Sequence, residues 1–155
     1  YFYSGSVEWA PMDKVQVSSG YTYHHLTADT PIIVPVDGVS RLGFSQFFMR
    51  DHYGYLDISA KPIKRLSLYG SLRINRDKGQ ENRFSTLPEI IYGGYPMNML
   101  TPEFRAAIRL TRNVDWNIGY QYYNYQDSQT PSQNYRAHLP YTSLKIYFGG
   151  GAADR

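Results

Sequence analysis

The stretch "RLSLYGSLRIN", residues 65–75, alternates without a fault. Leu66, Leu68, Gly70, Leu72 and Ile74 fall on one side, and Arg65, Ser67, Tyr69, Ser71, Arg73 and Asn75 on the other. A period of two marks a β-strand. Eleven residues is long for a globular strand, and arginine is a poor choice for the floor of a soluble core. The fold therefore turns on which of the two sides faces water.

The same rhythm returns along the chain. Tyr1, Tyr3, Gly5, Val7 and Trp9 alternate with Phe2, Ser4, Ser6 and Glu8, and Val15, Val17, Tyr21 and Tyr23 with Gln16, Ser18, Gly20, Thr22 and His24. Leu56, Ile58 and Ala60 oppose Tyr53, Tyr55, Asp57 and Ser59, and Trp116, Ile118, Tyr120 and Tyr122 oppose Asp115, Asn117, Gly119, Gln121 and Tyr123. "YTSLKIYF" (141–148) closes the series. "TPEFRAAIRL" (101–110) alternates too, but Thr101 as N-cap and Pro102 at the first position also fit a helix start. With that segment as a strand, the pattern predicts seven, or eight with one more around "LGFSQFFM" (42–49).

Turns near residues 11, 62 and 113 recur every 51 residues and read as short hairpin connections. Between them lie polar stretches, residues 27–48, 76–102 and 127–140, rich in Pro, Gly, Asn, Gln and Asp and expected to be long loops. The predicted unit is thus residues 1–148 as β-hairpins, with 149–155 as a flexible tail. Short connections at one end and long ones at the other match an antiparallel up-and-down transmembrane β-barrel better than a soluble sandwich.

Composition bounds the chemistry. The 155 residues are one domain's worth, 42% hydrophobic with 16 tyrosines, yet mean hydropathy is −0.49. Tyrosine suits surfaces greasy at one end and wet at the other. The absence of cysteine excludes disulfides, thiolate metal sites and covalent haem attachment within the chain. A net charge of +3 is too weak to argue for nucleic acid. No apolar run reaches the roughly 18 residues of a membrane-spanning helix. The start on Tyr1, already in strand rhythm, suggests a piece of a longer protein.

The apolar sides carry Trp9, Tyr21, Tyr23, Trp116, Tyr120 and Tyr122 near strand ends, where an interfacial aromatic girdle would stand. Leu144, Ile146 and Phe148 give the last strand an apolar-x-aromatic ending that resembles the C-terminal assembly signal of bacterial outer-membrane proteins, although "GGGAADR" follows it. More broadly, all 155 residues resemble the C-terminal hairpins of a porin-like outer-membrane β-barrel. That resemblance implies an outer-membrane location, with lipid, the barrel-assembly machinery, and further strands or a periplasmic or extracellular protein as partners. A looser resemblance extends to barrels that sheathe multihaem cytochromes, which would make the chain a structural sleeve. The third reading is a soluble secreted sheet domain that binds through its tyrosines.

If the polar faces line a lumen, Arg65, Arg73, Arg105, Arg109 and Lys145 stand against Glu8, Asp57 and Asp115, a slightly basic wall favouring anionic solutes. His24 and His25 point to opposite faces of a strand and cannot chelate one metal together, and neither His52 nor His138 adds metal-ligand spacing. No nucleophile elbow, H-E-x-x-H, P-loop or dinucleotide fingerprint occurs. The expectation is a passive barrel, not an enzyme, with no cofactor or metal. "GGYPMN" (93–98) reads as a loop scaffold.

Overall fold

The computed structural model describes residues 1–79, 90–93, 96–128 and 130–148. The expected tail at 149–155 and most of the loop predicted at 76–102 lie outside the described residues. The rest is almost entirely strand: β1 (Phe2–Met12), β2 (Val15–Val36), β3 (Val39–Ile63), β4 (Leu66–Asp77), β5 (Ile90–Gly93), β6 (Met97–Thr111), β7 (Val114–Asp127) and β8 (Tyr135–Ile146), with one short 3-10 helix (Pro131–Gln133). Seven of them form an antiparallel sheet in the order β1-β2-β3-β4-β6-β7-β8, and β5 pairs in parallel with β3. The up-and-down meander predicted from alternation is therefore present. "TPEFRAAIRL" belongs to β6, not to a helix.

Closure is not made among the described residues. β1 and β8 stand at the two ends of the path, each paired on one side only among the described residues. The physical reason is the count, since single-chain barrels begin at eight strands.

The short connections are two-residue turns at Asp13-Lys14, Lys64-Arg65 and Arg112-Asn113. Each is preceded by a register irregularity, between Trp9 and Met12, Ala60 and Ile63, and Arg109 and Thr111. Pro11 and Pro62 occupy the first two bulges, where a missing N–H breaks no ladder bond. The prolines thus sit just before the turns rather than in them.

Residues 27–48, expected as a loop, are strand instead. β2 and β3 pair from Val15↔Ala60 to Val36↔Val39 without a slip, joined by Asp37-Gly38. Both turn residues have positive φ, 52° and 78°, the backbone of a type I′ turn whose twist matches the strands it joins. The stretch 42–49 is accordingly an extension of β3 and not an eighth wall strand. Beyond His24 and Asp51 this hairpin has outgrown β1 and β4 and projects as a ribbon. Each ribbon strand has one ladder neighbour over most of its length, and there β2 tolerates Pro31 and Pro35. Likewise β8 begins at Tyr135, so the loop predicted at 127–140 shortens to about residues 128–134.

Candidate functional site: two unlike faces of one sheet

Register carries each face across the sheet. One rung runs Glu8, Ser18, Asp57, Ser71, Glu103, Gln121, Leu139, and another Ser6, Gly20, Tyr55, Arg73, Thr101. The opposite face carries Val7, Trp9, Val17, Leu56, Ile58, Leu68, Leu72, Phe104, Ile108, Trp116, Leu144 and Ile146. The alternation read from the sequence is thus continuous over all seven strands.

Shelter runs opposite to that of a globular domain. No hydrophobic residue is buried among the described residues, while Ser71, Asp77, Thr101 and Asp127 are, all four on the polar face. Leu144 is 61% exposed and Val7 65%. Crowding on one face and splaying on the other is what curvature toward the polar face produces.

Polar-face side chains are knitted to one another. Asp57 Oδ1 accepts the Tyr69 hydroxyl at 3.0 Å and lies 3.7 Å from the Arg73 guanidinium. Arg105 sits over the Tyr69 ring, 5.0 Å from its centroid. Asp115 accepts Arg109 Nε at 3.4 Å and the Tyr147 hydroxyl at 3.0 Å, and Lys145 lies over the Tyr147 ring. The Tyr141 hydroxyl donates to Glu103 at 2.9 Å, spanning from β8 to β6. A groove of about 340 Å³ runs between Tyr69, Arg105, Asp115, Tyr141 and Lys145. These half-exposed ion pairs each contribute under about 1 kcal/mol, so their effect is chiefly to fix side-chain directions.

Arg73, Arg105, Arg109 and Lys145 hold the expected positions on this face, as do Glu8, Asp57 and Asp115; Arg65 stands in the β3–β4 turn, off the wall. The sequence reading missed Asp51, Asp77 and Asp127, because it ended the strands too soon, and passed over Glu103 inside the segment 101–110 that it counted as a strand. With them, seven carboxylates face six cations on the described polar face, Arg41 and Lys61 of β3 joining Arg73, Arg105, Arg109 and Lys145. The basic excess expected on this face gives way to near balance, with one acid over. Asp51 and Asp77 are register neighbours at the ribbon end, where Asp77 Oδ1 accepts N–H of Arg50 and Gly79.

All six aromatic residues singled out from the sequence lie on the apolar face, in two bands. Trp9 and Trp116 are near the short turns, and Trp116 Nε1 donates to Thr142 Oγ1 at 2.7 Å. Tyr21, Tyr23, Tyr120 and Tyr122 lie toward the other end. Leu144 and Ile146 continue this face on β8, and Phe148 follows the strand at 92% exposure.

One arrangement occurs twice. Tyr21 shares a 2.6 Å hydrogen bond with His52 Nδ1, and the Tyr23 ring lies 4.9 Å from that imidazole. Tyr120 and Tyr122 repeat both distances with His138. On the reverse face Tyr55 lies over Gly20 and Tyr141 over Gly119, each so close that a Cβ on the glycine would collide with the ring. The signal is in the sequence as G-Y-x-Y at 20–23 and 119–122, faced by H-x-x-Y at 52–55 and 138–141. Read one strand at a time, neither half reveals its partner.

No cluster of three or more metal-ligating side chains is present among the described residues. Comparison with family models, with curated proteins and with solved structures returns no match.

Proposed function

We propose that this sheet is part of the wall of a bacterial outer-membrane β-barrel, its apolar face in lipid and its polar face lining an aqueous route for small polar solutes. The observation that carries the reading is the inversion of burial: among the described residues the sheltered side chains are polar, Asp77 and Asp127 accepting backbone N–H groups, and no hydrophobic side chain is buried. The two aromatic bands support it, since tyrosine and tryptophan collect at both membrane interfaces. Closure would require further strands or copies beside β1 and β8, because an open edge in hydrocarbon costs several kcal/mol per unsatisfied group.

The test is gel mobility of the native protein from the membrane fraction, unheated against boiled. A heat-dependent shift is expected, and a soluble species without one would discard the reading.

Solute preference follows from the wall's charge. The small acid excess points to a mild preference for cations over anions, where the sequence led to an expected anionic one. Glu8→Gln combined with Asp51→Asn is expected to lower cation-over-anion permeability about twofold to fivefold, the scale of ~1 kcal/mol for charges a few ångströms apart in water. Reversal potentials in a salt gradient measure it. A protein that shows the heat shift but carries no current would instead be a sleeve around a partner.

A further inference from the structure

We propose that Arg50, Arg76 and Lys78 form a binding site for the phosphate of an anionic membrane lipid, on the apolar face at the ribbon end of β3 and β4. The proposal rests on the membrane reading above and adds a ligand to it.

Two adjoining rungs assemble the cluster. In one, His25 pairs with Arg50, whose carbonyl accepts the Lys78 N–H at 2.9 Å. In the next, Tyr23, His52 and Arg76 stand side by side. Strands lie about 4.8 Å apart and same-face residues about 6.8 Å apart along a strand. Three full cations and two imidazoles therefore share a patch the size of one headgroup. Arg50, Arg76 and Lys78 are all exposed.

The charges are sorted by face. Asp51 lies between Arg50 and His52, and Asp77 between Arg76 and Lys78, yet alternation sends both carboxylates to the polar face. Every carboxylate of the wall (Glu8, Asp51, Asp57, Asp77, Glu103, Asp115 and Asp127) is on that side. The first outward acid along β2 beyond the cluster is Asp29, about 13 Å past His25 at the rise of a strand. A surface made for water mixes both signs; among the described residues this patch presents cations alone, directly beyond the tyrosine band, at the depth where headgroups lie. Guanidinium groups grip phosphate oxygens in pairs. Below the cluster, Gly70 has no atom within 4 Å of the place a Cβ would take.

Full-length protein reconstituted in phosphatidylcholine vesicles containing phosphatidylglycerol, then released and weighed by native mass spectrometry, tests this. The wild type is expected to retain phosphatidylglycerol selectively. Each cation removed should lower that selectivity about fivefold, so R50Q/R76Q/K78Q should lose it. R50K/R76K, which keeps the charge, should retain most of it, and R136Q, on the distant β8, all of it. Equal retention of both lipids by inserted wild type, or selectivity surviving in the triple variant, overturns the site. Displacement of the lipid by inorganic phosphate at millimolar concentration would assign the cluster to a soluble anion and overturn it as well. Flotation is read separately: wild type that fails to enter vesicles overturns the membrane reading and the site together.

Discussion

Leu72→Arg is expected to lower stability in the membrane by about 2–4 kcal/mol, while Leu66→Arg on the same strand and face costs only about 0–1 kcal/mol. Leu72 lies mid-strand opposite Leu56 and Pro102, and Leu66 lies beside the Lys64-Arg65 turn. If the apolar face meets lipid, the penalty for a charge follows depth: an arginine at the centre has no water within reach, whereas one beside the turn extends to the interface. A soluble core would treat the two leucines alike, since burial and not depth would set the cost. The heat-shifted fraction in the membrane and the urea midpoint of refolded protein measure both variants. Equal losses would sink the lipid-facing assignment. Because the natural chain has no cysteine, single cysteines add a second readout. One at Leu72 should resist a water-soluble maleimide in vesicles, and one at Ser67, on the polar face and lining the groove, should react.

The alternation in "RLSLYGSLRIN" was enough to find β4 and its two faces, because a half-buried or half-wetted strand writes its period into its own residues. The same held for β1, β7 and the inner halves of β2 and β3. What could not be read was extent. Pro31, Pro35, Asp29 and Gly43 look like loop chemistry, yet they sit in a paired ribbon whose outer N–H groups need no partner. The Asp37-Gly38 turn, flanked by Val36 and Val39, was the signal that would have revealed it. Pro102 and Pro140 misled in the same way. Pro102 interrupts the β6–β7 pairing without shifting the register, and Pro140 pairs with Tyr120 on a strand that has only one neighbour. Ending the strands early removed Asp51, Asp77 and Asp127 from the polar face, as well as Arg41 on the ribbon, and with them the balance of its charge. The cross-strand cassette of tyrosine, histidine and glycine was illegible for a different reason. Its partners are 29 to 35 and 16 to 22 residues apart, and only a settled register brings them together.

Valine at Gly119 is expected to destabilise the protein by about 1–3 kcal/mol, the cost of forcing bulk into a filled space. Tyr141 occupies that space: its ring covers Gly119 of β7 and its hydroxyl reaches Glu103 of β6. The side chain therefore straps the end strand of the sheet across its neighbour to the next. A β-branched side chain at 119 must push the ring aside, so packing and the hydrogen bond are lost in one substitution. Tyr141→Phe, which keeps the ring, should cost only about 1 kcal/mol. Gly70→Val provides the contrast, because no atom stands within 4 Å of the position a Cβ would take there, and valine suits a strand better than glycine does. The decisive comparison is a double-mutant cycle by urea unfolding. With the ring gone in Tyr141→Ala, Gly119→Val should cost much less than it does in the wild type, a coupling of the size seen between touching residues. Additive losses would mean that Gly119 is needed for its backbone alone, and the strap would have to be abandoned. Hydrogen exchange should show the same dependence locally, with β8 amides losing protection in Gly119→Val while those of β3 and β4 keep theirs.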